Sequence, residues 1–199
     1  FVYLLMVNFL NFKGEDMFFK NYKLKGYSSK DFSFLELKDN ELEIPFGREH
    51  PGAFGIQRKH HKHEGIDLYC KENDIVLSLT NGKVIDIGKF TGASVGSDWW
   101  NETEYIAIEY KNYVIVYGEL IVNSNIKIND IVSKEQELGR ITPVLKQNKN
   151  NRPINMLHLE LYDKNYYIEP KEWIDIKPKG LLNPIILLKE LEFNKLLSL

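Results

Sequence analysis

Four stretches in the middle of the chain alternate apolar and polar residues or form short apolar runs. They are residues 75–79, 83–90, 104–110 and 113–120, and both patterns are typical of β-strands. Asn81-Gly82 between the first two is a strong signal for a two-residue hairpin turn, and Lys111-Asn112 between the last two predicts a second tight turn. The pattern therefore predicts a meander of antiparallel strands.

The segments on either side of this meander predict further elements. Residues 42–46 and 157–163 have strand character. The segment from Pro184 to Leu197 has helical spacing and begins with a proline well placed for a first turn. Residues 47–61 and 146–152 are polar and aperiodic, which predicts loops.

The first twelve residues, FVYLLMVNFLNF, are apolar but too short to span a bilayer. They lack the basic leader and the small-residue cleavage site of a signal peptide, so we predict folded structure there. We expect no integral membrane segment in this chain.

Composition supports a mostly β fold. Of the 199 residues, 43% are hydrophobic, and they include 11 Tyr and 11 Phe; aromatic and β-branched residues favour strands. The net charge of −2 and the pI near 6.3 create no field that attracts nucleic acid, so we expect no nucleic-acid partner. A single cysteine, Cys70, excludes an internal disulfide and an all-cysteine zinc site.

Candidate metal ligands occur in two segments. His63 and Asp67 are four residues apart, after a loop and before an apolar run, and both residue types are good zinc ligands. A third ligand is available from the last predicted strand, where alternation with leucines leaves Met156, His158 and Glu160 together on the face opposite the core. Taken alone, a histidine in such a place is more often an ordinary hydrogen-bonded residue.

The HEGID segment at residues 63–67 resembles the first zinc motif of the lysostaphin or LytM-type peptidoglycan endopeptidases. Four further segments carry the similarity: the loop before the motif (45–48), the hairpin after it (74–88), a turn with Glu135 in place of the usual glycine (132–139) and the closing segment (182–184). The resemblance covers residues 45–188. It leaves residues 1–44 as an N-terminal extension and residues 189–199 as a C-terminal helix.

That resemblance implies an antiparallel β sandwich with a groove, of the lysostaphin type built from a duplicated hybrid motif, and zinc as the cofactor. The implied zinc ligands are His63, Asp67 and His158. It also implies a peptidoglycan or peptide ligand in the groove and an extracytoplasmic location in the cell envelope. For contacts with that ligand we select four residues: Arg48, Tyr117, Trp99 and Trp100. The adjacent tryptophans are also compatible with a packing role.

Two assisting histidines of that family are replaced in this chain, by Met156 and Glu119. Methionine can neither activate a water molecule nor stabilise an oxyanion. Glutamate can act as a general base beside zinc, unless Glu119 is only an exposed strand-end carboxylate. Two functions therefore stay open: a zinc-binding cell-wall or scaffold module with impaired or absent peptidase activity, and an active endopeptidase that uses Glu119 as its base.

Other interpretations use the same segments. The first zinc segment is also a variant of the helical His-Glu-x-x-His motif with Glu64 as base, but Gly65 and the lack of a 3.6-residue period disfavour a helix. Lys83 beside the predicted hairpin would suit a biotinyl or lipoyl carrier, although the usual flanking residues are missing. We expect His60 and His61 in a solvated loop, where an imidazole is available to replace a missing one.

Overall fold

A computed structural model describes residues 23–25, 41–45, 50–147 and 154–197. These residues form eleven strands, one 3₁₀ helix and one α-helix. The strands are β1 (Lys23–Lys25), β2 (Glu41–Glu43), β3 (Ile66–Tyr69), β4 (Ile75–Leu77), β5 (Gly82–Thr91), β6 (Thr103–Tyr110), β7 (Tyr113–Val122), β8 (Ile131–Val132), β9 (Glu137–Ile141), β10 (Met156–Asp163) and β11 (Leu181–Leu182). The 3₁₀ helix is Ala93–Val95 and the α-helix, α1, is Ile185–Leu197.

Strands β3 to β11 form one antiparallel sheet, and β1 and β2 form a separate parallel pair. The longest path through the sheet is β11-β10-β7-β6-β5-β8. β3 pairs with β10, and β9 pairs with both β4 and β7. The prediction of a mostly antiparallel β fold with a short C-terminal helix is therefore confirmed.

Both faces of the central strands are buried. One face contributes to a large apolar core that includes Ile106, Ile108, Ile115, Leu157, Leu159 and Leu161. The opposite face carries a smaller cluster that includes Tyr105, Ala107, Val114, Val116 and Tyr162. Burial on both faces explains why these strands contain apolar runs instead of a strict period of two.

The hairpin predicted at Asn81-Gly82 does not form, and this prediction was wrong. β4 pairs with β9, whereas β5 pairs with β6 and β8. The chain between β4 and β5 runs through the interior, since Leu79 is fully buried. A Cβ atom on Gly82 would lie 2.4 Å from Cγ2 of Ile108, so this glycine permits close packing and not a turn.

The tight turn at Lys111-Asn112 is confirmed. Tyr110 pairs with Tyr113 across it, and Lys111 has a left-handed φ of 52°. Lys83, by contrast, lies within the paired strand β5 and not at a hairpin tip, which removes the structural basis of the carrier interpretation.

Some predictions fall partly or wholly outside the described residues. The apolar residues 1–12 lie outside them, and so does the polar segment 148–153. The strand predicted at 42–46 is described as Glu41–Glu43. Within the described ranges no helix is long and apolar enough to cross a membrane.

Candidate metal centre

The pairing of β3 with β10 brings two candidate ligands side by side. Asp67 lies directly opposite His158 in the register of these strands. Gly65 makes the close approach possible, because a Cβ atom there would lie 2.3 Å from the carbonyl oxygen of Leu159. Since Asp67 belongs to a strand, the structure excludes the alternative helical zinc motif.

His63 completes a compact cluster with these two residues. Its Nε2 atom lies 3.0 Å from Oδ1 of Asp67 and 3.2 Å from Nδ1 of His158. Nδ1 of His158 lies 2.9 Å from the same Asp67 oxygen. All three side chains are buried. We call His63, Asp67 and His158 the triad.

The outer hydrogen bonds of the two imidazoles fix which nitrogen atoms face inward. Nδ1 of His63 donates to the carbonyl oxygen of Ala53 at 2.9 Å, which leaves Nε2 facing the triad. Nε2 of His158 lies 3.1 Å from the Glu160 carboxylate, which leaves Nδ1 facing the triad. Such outer partners are usual for metal-binding histidines because they set the ring orientation and tautomer.

The spacing of the three inward atoms fits a small divalent cation. Ligands at ~2.0–2.1 Å from a tetrahedral zinc ion are about 3.3 Å apart, close to the separations within the triad. Two imidazoles and one carboxylate are also a donor set that zinc accepts. The residues therefore fit a zinc ion.

The charged groups of the triad act strongly on one another. Burial opposes ionisation of Asp67, but His63 and Arg58 hold the pKa of Asp67 well below its usual range. Burial lowers the pKa of His63. For His158 the effect of burial is outweighed by hydrogen bonds to Asp67 and Glu160, which raise its pKa. An ionised carboxylate thus faces two imidazoles of unequal basicity.

Arg58 holds the outer oxygen of Asp67, a contact that no sequence pattern indicates. Its Nη2 atom donates a short hydrogen bond to Oδ2 of Asp67 and a longer one, of 3.4 Å, to the carbonyl oxygen of Pro51. Asp67 therefore presents only Oδ1 to the two histidines. A lone arginine in a loop rich in lysine and histidine does not reveal such a contact.

Glu119 occupies a bulge at the point where β7 changes partners. β7 pairs with β10 up to Gly118 and with β9 from Leu120 onward. On its other side Tyr105 pairs with Gly118 and Glu104 with Leu120, so Glu119 is the extra residue. Its φ is 66°, a left-handed value that is uncommon for residues other than glycine.

The Glu119 carboxylate is buried, which corrects its interpretation as an exposed strand-end charge. The residue is 8% exposed, and its Oε2 atom has no hydrogen-bond partner among the described residues. Burial and the nearby Asp67 charge raise its pKa to about 8, although His158 and Arg58 act in the opposite direction. A buried unpartnered carboxylate is rare enough to require an explanation.

One member of the triad, His158, lines a cleft of about 360 Å³. Arg58, Glu119 and Glu160 line the same cleft. The remaining wall includes His61, Glu64, Lys89, Phe90, Trp100 and residues 169–172. Its volume falls within the range of small-ligand sites.

The structure places the four residues selected for ligand contacts in different surroundings. Trp100 lines the cleft. The ring of Trp99 packs edge-on against the ring of Trp100, and Trp99 is 67% exposed. Tyr117 is fully buried in the large core, where its hydroxyl accepts a hydrogen bond from the Leu79 amide. This placement corrects its assignment to ligand binding. Arg48 lies outside the described residues.

Met156 and His50 are two further buried residues near the triad in sequence or in strand register. Met156 pairs with Tyr69 and is 9% exposed, and it carries no group that exchanges a proton. His50, which the sequence analysis missed, is buried, and its Nδ1 accepts a hydrogen bond from the Gly52 amide. It lies before the first zinc segment, where no pattern of spacing marks it.

The fold and the cluster together define a β protein with a candidate metal centre at the wall of a cleft. Residues 61–170, more than half of the chain, match peptidase family M23. The chain therefore belongs to peptidase family M23.

Comparisons with solved structures give weaker similarities. The catalytic domain of lysostaphin from Staphylococcus simulans is 16% identical, with 69% of this chain and 87% of that chain covered and a TM-score of 0.45. LytU is 19% identical, with 74% and 84% covered and a TM-score of 0.47. CbpA from L. salivarius REN is 18% identical, with 72% and 87% covered and a TM-score of 0.46. These values are too low to transfer residue roles.

One curated relative is the protein translocase subunit SecA of Herpetosiphon aurantiacus. It is 24% identical over 111 residues, which are 55% of this chain and 11% of that protein. The chain thus spans about a ninth of this relative, and the match does not assign the translocase function to it.

Proposed function

We propose that this protein is a zinc metallopeptidase that cleaves peptides of the peptidoglycan type, with the triad as zinc ligands and Glu119 as general base. The observation that carries this proposal is the buried Glu119 carboxylate, whose Oε2 atom has no hydrogen-bond partner among the described residues, in the same cleft as His158. Membership of family M23 supports a peptide as the substrate and a location outside the cytoplasm.

Zinc is the metal that both the donor set and the family favour. Family M23 is typically zinc-dependent, and the three inward atoms have the spacing described above. A zinc ion with an open position supplies Lewis-acid chemistry, which acidifies water and polarises a carbonyl group. The protein itself contributes the orientation of the ligands through Ala53, Glu160 and Arg58.

The structural cost of Glu119 supports a role in proton transfer. A left-handed conformation costs a non-glycine residue ~1–2 kcal/mol, and burying a carboxylate without a partner adds to that cost. Neither feature helps the chain to fold. Both are common at functional sites, where a group must face a ligand instead of a protein partner. The role that fits is acceptance of a proton from water by Glu119 Oε2.

Replacement of Glu119 by glutamine tests this proposal. We expect Glu119→Gln to lower the rate of wall or peptide cleavage by roughly 10²- to 10⁴-fold, the usual contribution of a general base, with zinc content unchanged by elemental analysis. Glu172→Gln is a matched control, because Glu172 also lines the cleft but is exposed. Equal loss of activity in both variants would contradict a specific role for Glu119.

A second candidate function is a zinc-binding module of the cell wall or a scaffold without hydrolysis. The observation that favours it is Met156, which offers no proton or hydrogen-bond donor at its position on β10. In that case zinc-loaded wild-type protein is inert, and the double change Met156→His with Glu119→His should restore some cleavage. If the double variant retains zinc but stays inert, we would conclude that peptides do not enter the cleft.

A further inference from the structure

Arg58 contacts Asp67 where β3 pairs with β10, the strand that also carries Met156. Met156 is paired with Tyr69, and the next residue of the same face, His158, is paired with Asp67. Arg58 donates to Asp67, and its charge also acts on Glu119 and Tyr69. The guanidinium group therefore lies beside the paired strands β3 and β10, in contact with the triad.

A short hairpin holds Arg58 in this position. The amide of His63 donates to the carbonyl oxygen of Ile56, and the amide of Arg58 donates to that of His61. Gln57 and Lys62 form a bridge between these two pairs. Because the same hairpin ends in the zinc ligand His63, the guanidinium group is tied to the triad through both its backbone and its side chain.

Among the described residues, the protein engages one nitrogen of the guanidinium group. Within the described part of the chain, Nη2 makes the hydrogen bonds to Asp67 and Pro51, and no bond from Nε or Nη1 is formed. About a third of the side chain, 32%, is exposed, and the residue lines the cleft. An arginine has five N–H donors in a fixed fork, so several remain for a ligand.

His61 is the other candidate for replacing a missing imidazole, and its contacts differ. Its Nε2 atom lies 4.0 Å from Oε2 of Glu64. The other oxygen of Glu64 accepts a hydrogen bond from the Trp173 amide. His61 thus contacts Glu64, whereas Arg58 contacts a member of the triad.

We infer that Arg58 donates hydrogen bonds to the carbonyl oxygen of a bound peptide and stabilises the negative charge that develops there during cleavage. This inference rests on the proposed peptidase function. Water attacks the carbonyl carbon, and the C=O π electrons move to the oxygen that Arg58 contacts. Glu119 takes the proton from water and passes it to the amide nitrogen as the C–N bond breaks. The products are a carboxylic acid and an amine.

The test compares Arg58→Gln, Arg58→Lys and Arg140→Gln with wild type. Arg140 is a matched control, because it lies on β9, is about half exposed and does not line the cleft. The probes are pentapeptides of glycine or alanine with acetylated and amidated ends. With zinc bound, Arg58→Gln should lower kcat/KM by roughly 10²- to 10³-fold, as for loss of one oxyanion donor. Arg58→Lys should recover part of this loss, and Arg140→Gln should cause none.

A second measurement uses the metal-free protein and needs no activity. In an NMR titration with the same probes, the Nε–H signal of Arg58 should shift, while that of Arg140 stays in place. Zinc affinity, measured by competition with a chelator, should fall in Arg58→Gln, because Arg58 orients Asp67, but the fully zinc-loaded variant should still show the loss of kcat/KM. A role limited to orienting Asp67 would instead give wild-type kcat/KM once zinc is loaded and would leave the Nε–H signal unmoved.

The outcomes separate this inference from the proposed function. If zinc-loaded wild type is inert but the Arg58 signal shifts with peptide, the peptidase proposal fails and the contact between Arg58 and the peptide stands. If wild type cleaves and Arg58→Gln cleaves equally well, the inference about Arg58 is overturned and the peptidase proposal stands. An unmoved Arg58 signal at saturating peptide also overturns the inference.

Discussion

Replacement of Glu119 by glutamine in the metal-free protein should increase stability in a way that depends on pH. The two side chains have nearly the same shape, so packing is preserved, but glutamine never carries a charge. In the folded protein the pKa of Glu119 is raised from 4.5 to about 8, mainly by burial and then by the charge of Asp67. The unfolded chain keeps the lower value.

The sign and size of the effect follow from this difference. An acid whose pKa is higher in the folded state contributes its full stability below pH 4.5 and loses it as the pH rises toward 8. One pKa unit corresponds to ~1.4 kcal/mol. Between pH 4.5, the pKa in the unfolded chain, and pH 7, wild type therefore loses roughly 3 kcal/mol of its free energy of unfolding through Glu119. Glu119→Gln should therefore match wild type near pH 4.5 and exceed it by about this amount at pH 7.

The assay is urea unfolding of both proteins with a chelator present, at several pH values from 4.5 to 8. The difference between the two free energies of unfolding at each pH cancels the contributions of the titratable groups that both proteins contain. Glu135→Gln is the matched control, because Glu135 has a similar left-handed φ of 68° but an exposed side chain; its effect should stay within ~0.5 kcal/mol at every pH. Parallel curves of the free energy of unfolding against pH for wild type and Glu119→Gln would refute the raised pKa of Glu119.

Three further predictions concern the triad, its packing and the cleft. Replacing any one member of the triad by alanine should strip zinc from the protein by elemental analysis, and a full zinc content in all three variants would refute the site. Gly65→Ala places a Cβ atom 2.3 Å from the Leu159 carbonyl oxygen and should lower the free energy of unfolding by roughly 1–3 kcal/mol; an unchanged urea midpoint would contradict this. Trp100→Phe should abolish the fluorescence response to peptides, whereas Trp99→Phe should preserve it.

The placement of His158 was accessible from the sequence because a strand imposes a period of two. Alternation with the leucines of β10 put His158 and Glu160 on one face, and the structure confirms that they contact each other. Which strand lies beside β10 does not follow from alternation. That part of the site depended on the family resemblance of the segment around His63 and Asp67.

The wrong prediction of a hairpin at Asn81-Gly82 shows the limit of predicting turns from adjacent residues. Asn-Gly is a turn signal because glycine adopts left-handed conformations easily. Gly82 instead allows β5 to pack closely against Ile108. Asn81 accepts a hydrogen bond from the Lys134 amide. Both contacts join residues far apart in the sequence, so a reading of adjacent residues cannot detect them.

Glu119 illustrates the same limit in the functional site. At the Gly118-Glu119 step the glycine would be the natural choice for the left-handed residue, yet the positive φ falls on Glu119. Gly118 is needed for another reason, since a Cβ atom there would lie 2.7 Å from the Phe90 ring, which packs against His158. Gly118 is thus required for the close approach of Phe90. The bulge falls one residue later, at Glu119, whose carboxylate is buried. Glu119 thus combines a backbone conformation that favours glycine with a buried side chain in the cleft, and the proposed role as general base would account for both features.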